Sequence, residues 1–257
     1  MLEVEEAMRR LAVRLARDAG DYAVERLDSE NGIRAKGDGT DVVTEVDREA
    51  ERRIIAGIVA EYPDHAILGE ESGIQGDTDA PYRWIVDPLD GTNNYVMGMP
   101  MFGACITVCR DDEPVAAVVH DSMRAITTSA VRGGGAFRNG RRLPGADARP
   151  LPLTTISWSQ GYSVGYEDPF RNRALRTLGP ATKRILHTWS PSIDWTLLAA
   201  GHTGAFVLYR NEVWDLVGGL LIAEEAGCVV WHAPDTDCVI AGRKETVREV
   251  RELLGFD

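Results

Sequence analysis

Val4, Met8, Leu11, Leu15 and Ala19 recur at helical spacing, which predicts an amphipathic helix from residue 4 to about 26. In "DVVTEVDREAERRIIAGIVAEYP" the apolar positions Val46, Ala50, Ile54 and Ile58 fall every four residues, a second helix stopped before Pro63. The intervening "GIRAKGDGTD" reads as a turn-rich loop. From "HAILGEES" onward the period shortens. The apolar runs 82–87, 103–110, 114–120 and 125–131 read as strands, with "GGGAFRNGRR" supplying Gly-rich and Asn-Gly turns.

Residues 144–152, "PGADARPLP", hold three prolines and form the expected boundary between an N-terminal half, 1–143, and a C-terminal half, 144–257, of one compact unit. Past it both periods return. "SIDWTLLAAG" and "DLVGGLLIAEEAG" look helical, the second closed by Gly227, and "KETVREVRELLG" is a final surface helix. "AFVLY", "CVVWHA" and "CVIAG" look like strands. Helices, then a block of strands, then a mixed block predict layered α+β packing rather than a regular βαβ repeat.

Composition narrows the class only a little. With 44% hydrophobic and 26% charged residues the chain is an ordinary globular protein, long enough to bury a full core. No window reaches the roughly 18 apolar residues of a membrane span, and "MLEVEEAMRRLAVRLARDAG" lacks the apolar core of a secretory signal, so a cytoplasmic protein with no membrane partner is expected. The net charge of −12 disfavours a nucleic-acid partner, because such binding rests on basic side chains neutralising phosphates. Cys105, Cys109, Cys228 and Cys238 form no C-x-x-C pair, and Cys105 and Cys109 lie an even number apart in a strand-like run, as reduced core thiols would. The five histidines never occur at i, i+4, and no serine sits in a nucleophile elbow.

The chemistry concentrates in acids placed where strands end. Glu70 and Glu71 follow "AIL" across a glycine, Asp87 and Asp90 follow "WIV", and Asp215 opens the helix "DLVGGLLIAEEAG". Taken singly, D-P-x-D is a turn, Asp215 an N-cap, and Glu70 and Glu71 loop charges. Together they would repel one another unless a cation or protons compensated them, and hard divalent ions such as Mg²⁺ prefer such oxygen ligands. Pro88 interrupts the ladder, so the Leu89 carbonyl is expected to be free as a further ligand. Gly91 and Thr92 would then begin a helix whose free N–H groups favour a phosphate.

"GEES" at 69–72, "WIVDPLDGTNNY" at 84–95 and "WDLVGGLLIAEEAG" at 214–227 resemble, in order, the signature segments of the inositol monophosphatase family of Mg²⁺-dependent, lithium-sensitive phosphatases. The resemblance covers nearly the whole chain, including "DVVTEVD" and "GGGAFRNG". It implies a layered αβαβα sandwich of the sugar-phosphatase type, a homodimer, and two or three Mg²⁺ ions. Glu70, Asp87 and the Leu89 carbonyl match ligands of the first metal, and Asp87, Asp90 and Asp215 match those of the second. Glu70 also reaches a third, weaker site. Gly91 and Thr92 match the phosphate-cradling turn, where Asp90 and Asp215 also meet substrate. Thr92 with Asp47, and Glu70, match the groups that activate the attacking water. Glu71 sits beside the metal shell, and Lys36 matches the family's loop lysine or is simply a solvated one.

The departures fall on specificity. "WSPS" at 189–192 replaces a common Gly-Ser/Thr-Ala-Ala, and Leu208 stands where inositol-selective members carry an acid. Met97, Val217 and Cys228 are also unusual, and Arg210 would suit a second anionic group or is a surface arginine. The expected activity is hydrolysis of a small polyol or sugar phosphate by metal-activated water. Fructose-1,6-bisphosphatase, histidinol-phosphate phosphatase and nucleotide 3′-phosphatase would use the same site. A regulatory protein of the same fold, and a glycosidase using Asp87 and Asp90, are the other classes.

Overall fold

The computed structural model describes residues 2–27, 29, 32–36 and 41–256. In chain order the elements are α1 (Leu2–Glu25), β1 (Arg34–Lys36), β2 (Asp41–Val43), α2 (Glu45–Glu61), β3 (Ala66–Gly69), β4 (Gly73–Gln75), β5 (Tyr82–Asp90) and α3 (Thr92–Val96). Then come β6 (Gly103–Arg110), β7 (Glu113–Asp121), β8 (Ile126–Val131), β9 (Gly135–Arg138) and β10 (Arg141–Arg142). The remainder holds β11 (Thr155–Gln160), α4 (Pro169–Ala181), β12 (Arg184–Leu186), α5 (Pro191–Ala199), β13 (Ala205–Tyr209), α6 (Val213–Glu225), β14 (Val229–His232), β15 (Cys238–Gly242) and α7 (Lys244–Leu254). No helix among the described residues is long and apolar enough to cross a membrane.

Five layers result. Helices α1 and α2 cover one face of an eight-stranded sheet ordered β10-β9-β8-β7-β6-β5-β3-β4, antiparallel except where β3 runs parallel to β5. Its other face meets α5 and α6, which separate it from a five-stranded sheet ordered β12-β11-β13-β15-β14. Helices α4 and α7 close the far side. This is the αβαβα sandwich that the resemblance implies. The helical stripe of α2 is buried as its spacing predicts, whereas in α1 Val4 is exposed and the buried stripe begins at Met8. "GGGAFRNGRR" is more than turns: β9 and β10 form a hairpin within it. All four cysteines are free and buried.

Alternation along β5 sends Trp84 and Val86 into the core beneath α1 and α2. Asp87 pairs with Cys105 of β6, which packs with Leu221 and Ile222 of α6. Helix α6 can approach this closely because of Gly218 and Gly219. A Cβ on Gly218 would lie 2.2 Å from Thr107 Oγ1, and one on Gly219 would lie 2.0 Å from Trp195 Cδ1. Trp195 Nε1 also donates to the Asp215 carbonyl at 2.8 Å, anchoring the first turn of α6. The acids of β5 and α6, 125 residues apart in the chain at their closest (215 − 90), are thereby brought to one point.

Candidate active site

Asp87, Asp90 and Asp215 each offer a carboxylate oxygen within 4.8 Å of the others, the one such metal-competent cluster among the described residues. They lie in a cavity of about 590 Å³ whose walls include Glu70, Glu71, Leu89, Gly91 and Thr92. Asp87 and Asp90 are buried and Asp215 is half-buried. Burial raises all three from the ordinary carboxylate value, Asp87 and Asp215 well above it. The Glu70, Asp90 and Asp215 carboxylates raise Asp87 further, and Asp90 and Glu70 do the same to Asp215. Two unit charges 4.8 Å apart repel by at least about 3.5 kcal/mol at an effective dielectric constant of 20. Without a cation the set relieves this repulsion by holding protons, the direction in which all three are raised. An all-oxygen set under that repulsion fits a hard divalent cation.

Asp215 is the third residue of α6, whose N-cap is Glu212, so it is not the N-cap. Asn211 Nδ2 donates to it at 3.2 Å. Leu89 lines the cavity, and its carbonyl competes with Asp47 for the single Thr92 hydroxyl proton, which leaves an oxygen lone pair for a further ligand. The strand resumes past a register shift, with Asp90 opposite Gly103, and Leu89 O accepts from Thr92 Oγ1 at 3.0 Å. Thr92 Oγ1 also reaches Asp47 Oδ1 at 2.8 Å, which joins the expected pair across 45 residues. Asp47 is itself the third residue of a capping box on α2, where Oδ2 accepts from Thr44 N at 2.8 Å and Thr44 Oγ1 at 2.5 Å. Burial raises its pKa, against the pull of these donors. Gly91 takes φ +86° as N-cap of α3, and a Cβ there would lie 2.8 Å from the Met101 carbonyl, so only glycine makes this turn. Glu71 N donates to the buried Glu51 at 2.9 Å, which fixes the "GEES" corner.

The sequence profile of the inositol monophosphatase family matches residues 4–253. The chain belongs to the inositol monophosphatase family. The Nus factor SuhB of Pseudomonas aeruginosa is 37% identical over 240 residues, spanning 88% of this chain and 85% of that protein. Among solved structures, the extragenic suppressor protein SuhB from Bartonella henselae matches with a TM-score of 0.90 at 28% identity, covering 96% of this chain and 98% of that one. An IMPase of Thermotoga maritima matches with a TM-score of 0.85 at 28% identity, over 95% of each chain.

Against that family background, residues of "WSPS" prove to support the acids. Asp90 Oδ2 accepts from Ser190 Oγ at 2.6 Å, from Ser192 N at 2.8 Å and from Ser192 Oγ. These donors draw Asp90 back down against the burial that raises it. Behind them Asp194 is fully buried, accepting from Ser157 Oγ at 2.7 Å and Thr188 Oγ1 at 2.5 Å. Burial, with Asp90 nearby, pushes its pKa up to about 8. Trp189 holds φ +56°, the left-handed region that costs a non-glycine residue about 1–2 kcal/mol.

Two expected residues lie elsewhere. Leu208 is 1% exposed and packs with Trp195, Phe206 and Ala223, because its side chain points off β13 into the core. Arg210, at φ +54°, lines a neighbouring cavity with Leu208 and His232 and pairs with Asp168 at 3.7 Å. Arg34 and Arg48 line the acidic cavity instead, as do Glu212 and Asn211. The backbone of Lys36 ends β1, and its side chain lies outside the described residues. Ser190, Ser192 and Asp194 escaped sequence reading because their role is to hold another residue. The signal was there in a run of small polar residues inside an apolar helix start.

Proposed function

We propose that the protein is a divalent-cation-dependent phosphomonoesterase acting on a small hydroxylated phosphate ester, with the polyol and sugar phosphates as its parent class. The convergence of Asp87, Asp90 and Asp215 on the floor of one cavity carries this reading. These three would hold Mg²⁺, two or three ions in all, with Glu70 and the Leu89 carbonyl on the wall beside them. When bound, the ion supplies charge neutralisation for the cluster, polarises the phosphoryl group and acidifies water. The chain's own residues do the aiming. Thr92 directs its one proton to Asp47 or to the Leu89 carbonyl, so its remaining lone pairs accept from a water and orient that oxygen toward phosphorus. Asp47, held by Thr44, fixes the threonine rotamer, and Glu70 is the proposed acceptor of the water's proton. Gly91 and Thr92, with Asp90 and Asp215, line the place for the phosphate. The test is phosphate release from a panel of esters with Mg²⁺ and with EDTA. Release that survives EDTA overturns the reading, whereas a glycosidase would keep working there.

A transcription-associated role is the second reading, supported by the name Nus factor carried by relatives in Pseudomonas aeruginosa and Escherichia coli. The charge of −12 favours a protein rather than bare nucleic acid as the contact. Loss of hydrolysis in Asp90→Asn with unchanged partner binding would separate the two roles. A cytoplasmic homodimer belongs to the same proposal. The exposed Val96, Met97 and Met99 side chains provide an apolar surface that supports it.

A further inference from the structure

Trp189 combines three features that packing does not explain. It is 45% exposed, it occupies a left-handed backbone conformation, and it lines the acidic cavity. Its ring stacks on that of Tyr162, with centroids 6.3 Å apart and planes inclined by 27°. Tyr162 is also 43% exposed on the same cavity, and its hydroxyl accepts from Asn93 Nδ2 at 2.9 Å. Both rings are tied to the floor. Asn93 follows Thr92, and Ser190, next to Trp189, donates to Asp90. Pro191 and Trp214 line the same cavity and extend its flat apolar surface, while Ser159, Gln160 and Asn211 supply polar groups at its edge.

The ring faces themselves offer no hydrogen-bond partner, so polyol hydroxyls laid on them would be desolvated, whereas a planar ring would stack one face on the wall. We propose that Trp189 and Tyr162 form a stacking wall for the alcohol portion of the substrate, and that the preferred ester carries a planar unsaturated ring on that alcohol. The proposal rests on the phosphatase reading and narrows its substrate class.

The probes are two non-hydrolysable phosphonates, 3-phenylpropylphosphonate and 3-cyclohexylpropylphosphonate, titrated calorimetrically into the full chain with Mg²⁺. The cyclohexyl ring is the more hydrophobic, so simple apolar burial would favour it. Stacking predicts the reverse, with the phenyl compound binding at least about fivefold tighter. Trp189→Gly suits the left-handed backbone and should bring that ratio close to one, while Trp189→Phe keeps a flat ring and retains most of it. Equal or inverted affinities in the wild type overturn the proposal, as does a ratio unchanged in Trp189→Gly. A ring preference accompanied by no hydrolysis of any ester supports the wall and overturns the phosphatase reading.

Discussion

Replacing Asp194 by Asn should stabilise the protein near neutral pH, although it alters a fully buried, doubly hydrogen-bonded side chain. The folded pKa stands at about 8 and the unfolded value at 3.8. Below 3.8 both states are protonated and the group contributes no pH dependence. Between the two values the folded chain keeps a proton that the unfolded chain releases, so stability falls as pH rises, and it levels off above about 8. Each unit corresponds to about 1.4 kcal/mol, so the loss at pH 7 is about 4 kcal/mol. An asparagine amide never ionises, and it can still accept from one of Ser157 and Thr188 while donating to the other hydroxyl. Urea unfolding of both proteins in EDTA at pH 5, 6 and 7 measures the effect, since the other buried acids contribute similarly to both. The stability gap in favour of Asp194→Asn should widen by about 1.4 kcal/mol per pH unit, about 3 kcal/mol across the range. A gap independent of pH would show that Asp194 is ionised in the folded protein, and the reasoning would fail.

Thr92→Ala should lower kcat far more than it raises KM, with Thr92→Ser recovering much of the loss, because the hydroxyl alone orients the water; an unchanged kcat in the alanine variant would leave Thr92 as structure only. Ser190→Ala removes a charge-assisted bond of about 1.5–3 kcal/mol from Asp90, so calorimetry should show Mg²⁺ affinity reduced about ten- to a hundredfold. Because Asp90 then holds its proton to higher pH, the defect should be larger at pH 6 than at pH 8, and equal affinities at both would refute this. Leu208→Glu buries an unpaired charge worth about 3–5 kcal/mol and should lower Tm sharply; an unchanged Tm with altered ester preference would restore Leu208 to the substrate site.

The layered fold was legible because α2 and the central strands have clean periods and the acidic segments are distinctive. The metal-competent triad was legible only from the combination of acids at the ends of apolar runs, since each one taken singly has an ordinary structural use. Geometry that depends on tertiary approach was not. Nothing local marks Gly218 and Gly219 as the surfaces on which α6 seats against Thr107 and Trp195. The direction of the Leu208 side chain was not legible either, because a resemblance fixes a chain position while strand alternation decides which way the side chain points. Of the two readings of Arg210 the structure favours the surface arginine, half-exposed and paired with Asp168. The short strands β9 and β10 were hidden in a run read as turns, and the "WSPS" departures, read as specificity alone, turn out to include the donors that hold Asp90.

The central claim is that Asp87, Asp90 and Asp215 form one cation-dependent phosphatase centre. Its most direct measurement follows Mg²⁺ binding and phosphate release in the same samples for wild type, Asp90→Asn and Asp215→Asn, with circular dichroism to verify the fold. The account predicts that the wild type binds Mg²⁺ and releases phosphate only in its presence, and that each folded variant loses both. Wild-type turnover in either variant at saturating Mg²⁺ would contradict it.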